Sequence, residues 1–310
     1  MPFFSVIIPA YNREKFIEKA IYSILNQNFT DFEVIVIDDA STDLTENIIK
    51  SFTDNRIVYL RNESNLERCK TRNRGIEESK GKYICFLDSD DYHLPNHLEV
   101  IHSEILKRNN QNAFFFLNAW DETEDGVRTE RNCPDFEDYE PFTYFLRYTV
   151  NPQRWVVHRS IFEKVQFDPE VVICEDMDTS LRILANKFPI FQIKERTTVY
   201  VSASDSFTHG DKNKWEKELF YLKRIFNRKE LIGFLPRVEK NRLLSMCYFH
   251  LSNKMFVEQN RLKTIYYGFK SFLLFPKSYN GSTNKTLLVT CSYSIPFVGY
   301  LIKKIRNGLR

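Results

Sequence analysis

Residues 80–95 read KGKYICFLDSDDYHLP. Tyr83 to Leu87 is an unbroken apolar run of the kind that forms a strand buried on both faces, and it stops abruptly at Asp88, Ser89, Asp90 and Asp91. Three carboxylates in four residues repel one another. In an open α/β sheet the carboxyl ends of the strands are where ligands bind, and hard oxygen donors at such a place suit Mg²⁺ or Mn²⁺. A divalent cation would relieve the repulsion and present a positive site to a phosphate. Taken alone, the turn is equally readable as a solvated acidic cap on the helix that starts near Pro95, so its neighbours decide.

Upstream, Phe3 to Pro9 is a second continuous apolar strand, followed by AYN and a helical pattern through Ile17, Ala20, Ile21, Ile24 and Leu25. Glu33 to Ile37 is a third, ending in DDASTD, with a helix over about 44–52. Ile57–Leu60 leads through Asn62-Glu63-Ser64-Asn65 into a helix ending near Gly81. Strands alternating with helices predict a parallel sheet, and the turns AYN, DDASTD and DSDD then fall on one edge and form one crevice. The sequence has no Gly-x-Gly-x-x-Gly and no phosphate-loop lysine, which argues against a dinucleotide cofactor or an ATP-hydrolysing loop.

Downstream, a helix is expected over 96–108, a strand over Ala113–Ala119, a polar loop or hairpin over 121–141, a short strand Trp155–Val157, a helical turn Ser160–Val165, a helix beginning at Glu175 and a strand Val199–Val201. From about Trp215 the pattern is helical, near 214–228, 236–256, 260–275 and 285–307. The 310 residues are 43% hydrophobic, enough for a sizeable core, and a net charge of +3 does not favour a nucleic-acid partner. That charge is unevenly spread: Lys254 to Arg310 carries +9, leaving −6 for the rest. Six cysteines at 69, 85, 133, 174, 247 and 291 lack metal or redox spacing, and MPFFSVIIPAYNRE does not read as a signal peptide, so a cytoplasmic setting is expected.

The segments SVIIPAYNRE, EVIVIDDASTD, NLERCKTRNRGIEESKGKYICFLDSDD and CEDMDTSLRI, in this order, resemble the family 2 glycosyltransferases. The resemblance implies an α/β GT-A fold with a Rossmann-like mixed sheet over residues 1–210 and leaves 211–310 as a basic helical extension. It also implies an inverting, metal-dependent transfer of a sugar from a nucleotide diphosphate to a glycan or lipid-linked saccharide. By this likeness Pro9, Ala10, Tyr11 and Asn12 line the base and ribose, and Asp39 accepts the N3–H of a pyrimidine, which favours a UDP-sugar. Arg72, Asp88 and Ser89 also belong to the nucleotide site, and Asp90 is the ligand for Mn²⁺ or Mg²⁺, with His209 a further metal candidate. Asp176 is the general base, while Glu175 and Trp155 would hold the acceptor. The chain departs from the family pattern at Glu67, where Gly is usual, at Thr71, where Ala is usual, and at Val201 and Ala203, in place of an Arg-x-His.

The basic tail, with Lys303, Lys304, Arg306 and Arg310 after the apolar Ile295–Ile302, fits peripheral attachment to the inner face of a membrane. A cap over the catalytic part or a homodimer contact is the other reading. A nucleotidyltransferase would want a Gly- and Lys-rich loop after the first strand, and a phosphatase Thr or Val where Asp91 stands. A catalytically silent sugar-nucleotide-binding subunit is the alternative from a different class.

Overall fold

The computed structural model describes residues 1–109, 111–202 and 213–275, and the chain divides into two compact units, Met1–His209 and Gly210–Arg310. In the first unit the expected alternation is present: β1 (Phe4–Ala10), α1 (Ile17–Leu25), β2 (Phe32–Asp38), α2 (Thr45–Ser51), β3 (Ile57–Arg61), α3 (Glu67–Glu78) and β4 (Tyr83–Phe86). There follow β5 (Tyr92–His93), α4 (His97–Lys107), β6 (Phe114–Glu122), β7 (Arg128–Glu130), α5 (Pro141–Arg147), β8 (Trp155–His158), α6 (Arg159–Phe162), α7 (Glu175–Ala185) and β9 (Ile190–Val201). The strands form one sheet in the order β3-β2-β1-β4-β8-β6-β9-β5, with β7 hairpinned onto β6. β3, β2, β1 and β4 are mutually parallel, whereas β8 runs antiparallel to both β4 and β6. The result is a mixed sheet, and its parallel half carries the three polar turns at one edge.

Burial explains why these segments became strands. Val6, Ile7, Ile8, Val34, Ile35, Val36, Ile37 and Tyr83 through Leu87 are fully enclosed, as expected of parallel strands covered on both faces. β4 pairs with β1 only as far as Phe86↔Ile7, while β1 continues beside β2 to Ala10↔Asp38. Pro9, which has no N–H to give, therefore lies where β4 has already ended. The sheet opens at this point, between the end of β1 and the acidic turn.

Helix α3 comes unusually close to that sheet. A Cβ on Gly75 would stand 2.5 Å from Ile7 Cγ2 and 2.8 Å from Ile37 Cδ1, so only glycine lets the helix seat there. The segment 121–141 is a β6–β7 hairpin followed by a 3₁₀ turn at Phe136–Asp138. The strand expected at Val199–Val201 is the last quarter of β9, which begins at Ile190 and pairs parallel with β6 through a bulge near Asn118. The second unit contains α8 (Lys214–Phe226), α9 (Arg237–Val257) and α10 (Arg261–Leu274), with α8 and α10 both packed on α9. The fourth expected helix, 285–307, with Lys303, Lys304, Arg306 and Arg310, lies outside the described residues, as do His209 and Ala203.

Gly75→Ala is expected to lower stability by about 1–3 kcal/mol, the usual cost of overpacking a filled interior. Chemical denaturation of the two proteins measures it, and an unchanged midpoint would contradict the close seating of α3.

Candidate active site

Above the open edge of the sheet lies a cleft of about 1060 Å³. Its wall comprises Pro9 through Arg13 after β1, Asp39 after β2, Glu67, Arg68, Thr71 and Arg72 of α3, and Asp88 through Asp91 after β4. Asn151, Gln153, Tyr200, Val201, Ser202 and the β6–β7 residues Asp121, Glu124 and Arg131 complete it. All eight residues assigned from sequence to the nucleotide, and Asp90, are thus on one wall.

At one end, the turns after β1 and β2 are clipped together. Asn12 and Ala40 are in the left-handed region (φ 51° and 64°), Asn12 N–H donates to Ser41 Oγ at 3.0 Å, and Asn12 Oδ1 accepts from Thr42 N–H at 2.8 Å. Asp39 N–H donates to Ala10 O at 2.8 Å. Asp39 Oδ1 accepts from Asn62 Nδ2 at 2.6 Å and from Leu66 N–H at 2.9 Å, so the carboxylate is fixed by one oxygen while Oδ2 makes no hydrogen bond among the described residues. A rigid carboxylate with one unused oxygen suits a base N–H donor.

Arg72 forms the centre of the cleft's charge arrangement. Only 4% exposed, it donates through Nη2 to Asp88 Oδ1 at 2.9 Å and through Nη1 to Glu175 Oε1 at 3.1 Å. Burial works against its charge, yet the two carboxylates hold the guanidinium firmly protonated. Both Nη groups are therefore engaged. Arg68 Nη1 also reaches Glu175 Oε1, at 3.4 Å.

The three aspartates of the acidic turn have separate fates. Asp88 is paired with Arg72. Asp91 is buried and accepts from Gln153 Nε2 at 2.7 Å and from Val201 N–H at 2.8 Å; burial, with Asp88 and Asp90 beside it, pushes its proton affinity well up. Both bonds make it a structural tie between the acidic turn, Gln153 and the end of β9. Asp90 is left facing the cleft with Arg13 Nη2 at 3.8 Å, its proton affinity raised by burial and by Asp88. Among the described residues no three His, Cys, Asp or Glu side chains converge as a protein-only metal cage. That donor set fits Mg²⁺ or Mn²⁺ held in the usual way, by one or two carboxylates with the remaining positions left to phosphate and water.

Asp176 lies at the start of α7, half-buried, with Oδ1 accepting from Met177 N–H at 2.7 Å. It is not on the cleft wall itself but stands beside it, where the wall residues Arg72 and Arg68 act on its charge. A helix N-terminus by itself would favour the ionised carboxylate. Instead burial, and then the adjacent Glu175, push it up to about 7, against the opposing pull of the two arginines.

Neither residue expected at the acceptor lines the cleft. Glu175 is 6% exposed, with its Oε1 shared by Arg72 and Arg68. Trp155 is 1% exposed, its indole N–H donates to Val150 O at 2.6 Å and its ring stacks on Phe167, which makes it a core residue and not a sugar platform. The sequence reading missed Arg13, Asn151, Gln153, Tyr200, Asp121 and Arg131. Arg13 adjoins the AYN turn and was within reach; the others come from separate elements with no motif. Among the described residues, Asn151 Oδ1, Gln153 Oε1, Arg154 Nη2 and Tyr200 Oη are buried without hydrogen-bond partners, and three of these four residues line the cleft. At Glu67 the backbone is left-handed (φ 67°), so the glycine-type conformation persists although the glycine does not.

A GT-A fold with an acidic turn after β4 and clipped turns after β1 and β2 is the architecture of nucleotide-sugar-dependent transferases. The chain belongs to the family 2 glycosyltransferases: the family model described as Glycosyl transferase family 2 matches residues 5–165. A Campylobacter jejuni protein, GalNAc(5)-diNAcBac-PP-undecaprenol beta-1,3-glucosyltransferase, is 31% identical over 230 residues, 72% of each chain. An uncharacterized glycosyltransferase of Methanocaldococcus jannaschii is 31% identical over 201 residues, 63% of this chain and 69% of that one. Among solved structures, S. aureus TarS in complex with UDP-GlcNAc superposes with a TM-score of 0.64 at 19% identity, covering 98% of this chain and 92% of that one. The mannosyltransferase PcManGT from Pyrobaculum calidifontis, in complex with GDP-Man and Mn²⁺, gives 0.59 at 15% identity over 100% and 81%.

A carboxyl whose proton affinity is raised in the folded state binds a proton the unfolded chain has already lost, so its contribution to stability is fully present below the unfolded pKa and disappears as pH rises through about 7. Asp176→Asn is therefore expected to raise the melting temperature relative to wild type at pH 8, by a margin that shrinks toward pH 5. Thermal melts across that range test it; a margin independent of pH would place the Asp176 carboxyl elsewhere on the scale.

Proposed function

We propose that this glycosyltransferase is an inverting enzyme that moves a sugar from a nucleoside diphosphate, UDP by the pyrimidine-suited carboxylate of Asp39, to a hydroxyl of a glycan or lipid-linked saccharide. The observation that carries the reading is the chain of charges Asp88–Arg72–Glu175, which joins the acidic turn to the residue next to Asp176. Through one buried guanidinium, that chain links the turn that carries Asp90 to the helix start that carries Asp176.

In this reading Pro9 to Asn12 and Asp39 hold the nucleoside, and Asp90 would hold Mn²⁺ or Mg²⁺, which supplies charge neutralisation to the departing diphosphate. Asp176, ionised, accepts the proton of the acceptor hydroxyl as that oxygen forms its bond to the anomeric carbon and the bond from that carbon to the diphosphate oxygen breaks. Attack opposite the leaving group inverts the centre. A sugar hydroxyl both donates and accepts, so the unpartnered Asn151, Gln153 and Tyr200 atoms suit sugar recognition. Names among the relatives support the substrate classes: UDP-GlcNAc for TarS, and an undecaprenol-linked acceptor for the Campylobacter protein.

A screen of nucleotide sugars with Mn²⁺ or Mg²⁺, reading nucleoside diphosphate release, is expected to find turnover that Asp176→Asn lowers about 10²–10⁴-fold without loss of nucleotide binding. Full activity in Asp176→Asn would remove the base assignment; nucleotide binding without turnover for every donor would favour a silent binding subunit. With the base titrating near 7, kcat/KM is expected to fall about tenfold per pH unit on the acid side. In Glu175→Gln that limb is expected to shift to lower pH, because the neighbouring negative charge is gone and Arg72 is unshared. A pH profile that keeps its limb at the same place in both proteins contradicts this.

A further inference from the structure

Helix α10 has the sequence RLKTIYYGFKSFLL. In water a helix packed on one side turns its large apolar side chains inward and leaves its polar ones outside. Here the order is reversed. Leu262, Tyr266, Phe269 and Leu273, spaced by four, three and four residues, share one face and are 82%, 51%, 60% and 64% exposed. The buried face is Thr264, Gly268 and Ser271.

That inner face meets α9 through small side chains and polar bonds. Ser271 Oγ donates to Ser245 O at 2.8 Å, and Ser252 Oγ donates to Thr264 O at 2.9 Å. Close approach over small residues, with hydroxyls bonding across the helix pair, is how helices associate where the surroundings are themselves apolar. Phe256 and Val257, at the end of α9 where the chain turns into α10, are a further 50% and 80% exposed. Fourteen residues at ~1.5 Å each make a helix of roughly 21 Å. That is well short of a bilayer core of ~30 Å, and among the described residues no helix is long and apolar enough to cross one. Such a helix can lie along a surface.

Charge decides what kind of surface. Arg261 and Lys263 flank the apolar face, and Lys270 Nζ stands 4.5 Å from the centre of the Tyr266 ring, an arrangement that keeps the ammonium beside the apolar stripe. From Lys254 to Arg310 the sequence has ten basic residues and a single acid, Glu258. A second copy would set like charge against like; an anionic lipid leaflet would not. We propose that the Leu262–Leu273 face of α10 is a docking surface for an anionic lipid bilayer, entered by Leu262, Tyr266, Phe269 and Leu273 with Arg261, Lys263 and Lys270 at the headgroups. None of these residues lines the cleft, and occupancy of the face can be read without any turnover, so this inference and the transferase reading fail separately.

The test is cosedimentation of the full chain with phosphatidylcholine vesicles, with and without phosphatidylglycerol, alongside light scattering for molecular mass. The expected result is binding to the phosphatidylglycerol vesicles that the exposed-site double variant Leu262→Ser/Phe269→Ser weakens about tenfold or more, with an unchanged thermal melt. Absence of binding by the wild-type chain would overturn the proposal, as would equal binding to both vesicle types. Undiminished binding by the double variant overturns it in favour of residues 276–310. A wild-type dimer that the variant dissociates, without vesicle binding, overturns it in favour of a second copy.

Discussion

A guanidinium enclosed by protein needs negative charge at once, and a carboxylate enclosed by protein needs the reverse; Arg72 with Asp88 and Glu175 satisfies both. Removing one partner from such a group leaves the others uncompensated, at a typical cost of about 3–5 kcal/mol. The three residues come from α3, the turn after β4 and the start of α7, so this ion group ties together parts of the chain about a hundred residues apart. Around it the remaining carboxylates divide by what they touch. Asp91 and Asp38 are committed to fixed partners inside the protein, whereas Asp90 faces the cleft with Arg13 Nη2 at 3.8 Å.

The same division separates scaffold from chemistry along the β1 and β2 turns. Asn12, Ser41 and Thr42 bond one another, and Asp39 is held by Asn62 and Leu66. An end of the cleft held this way has little to rearrange, which lowers the ordering cost of taking up a ligand. Left-handed backbone at Asn12, Ala40 and Glu67 recurs at this rim. Such conformations for residues with side chains persist where surrounding bonds enforce them.

The parallel half of the sheet was legible because its strands are short continuous apolar runs, each closed by a polar turn, so chemistry and fold were encoded in the same few residues. β9 was read only at its end: Gln192, Lys194 and Glu195 break its apolar pattern, and its pairing with β6 depends on a bulge no local pattern announces. Trp155 carried no sign of whether it faced core or cleft, since burial of a strand residue is decided by what packs on the sheet. The affinity of Asp176 for its proton was illegible for a related reason. The helix start and the two arginines pull it one way, while enclosure and Glu175 pull it further the other, and the enclosure, the largest of these, depends on the assembled protein. Gln153 and Tyr200 join the site by tertiary approach alone.

Gly75 has an effect beyond its own contacts. It sits one residue short of a full helical turn after Arg72, where α3 rests directly on Ile7 and Ile37. Arg72 and Gly75 share that helix, so a shift of α3 off Ile7 and Ile37 would move the guanidinium relative to the two acids it serves. Hydrocarbon thickness in the interior and electrical neutrality at the surface opening are thus mechanically linked, and a single added methyl group would act on the second by way of the first.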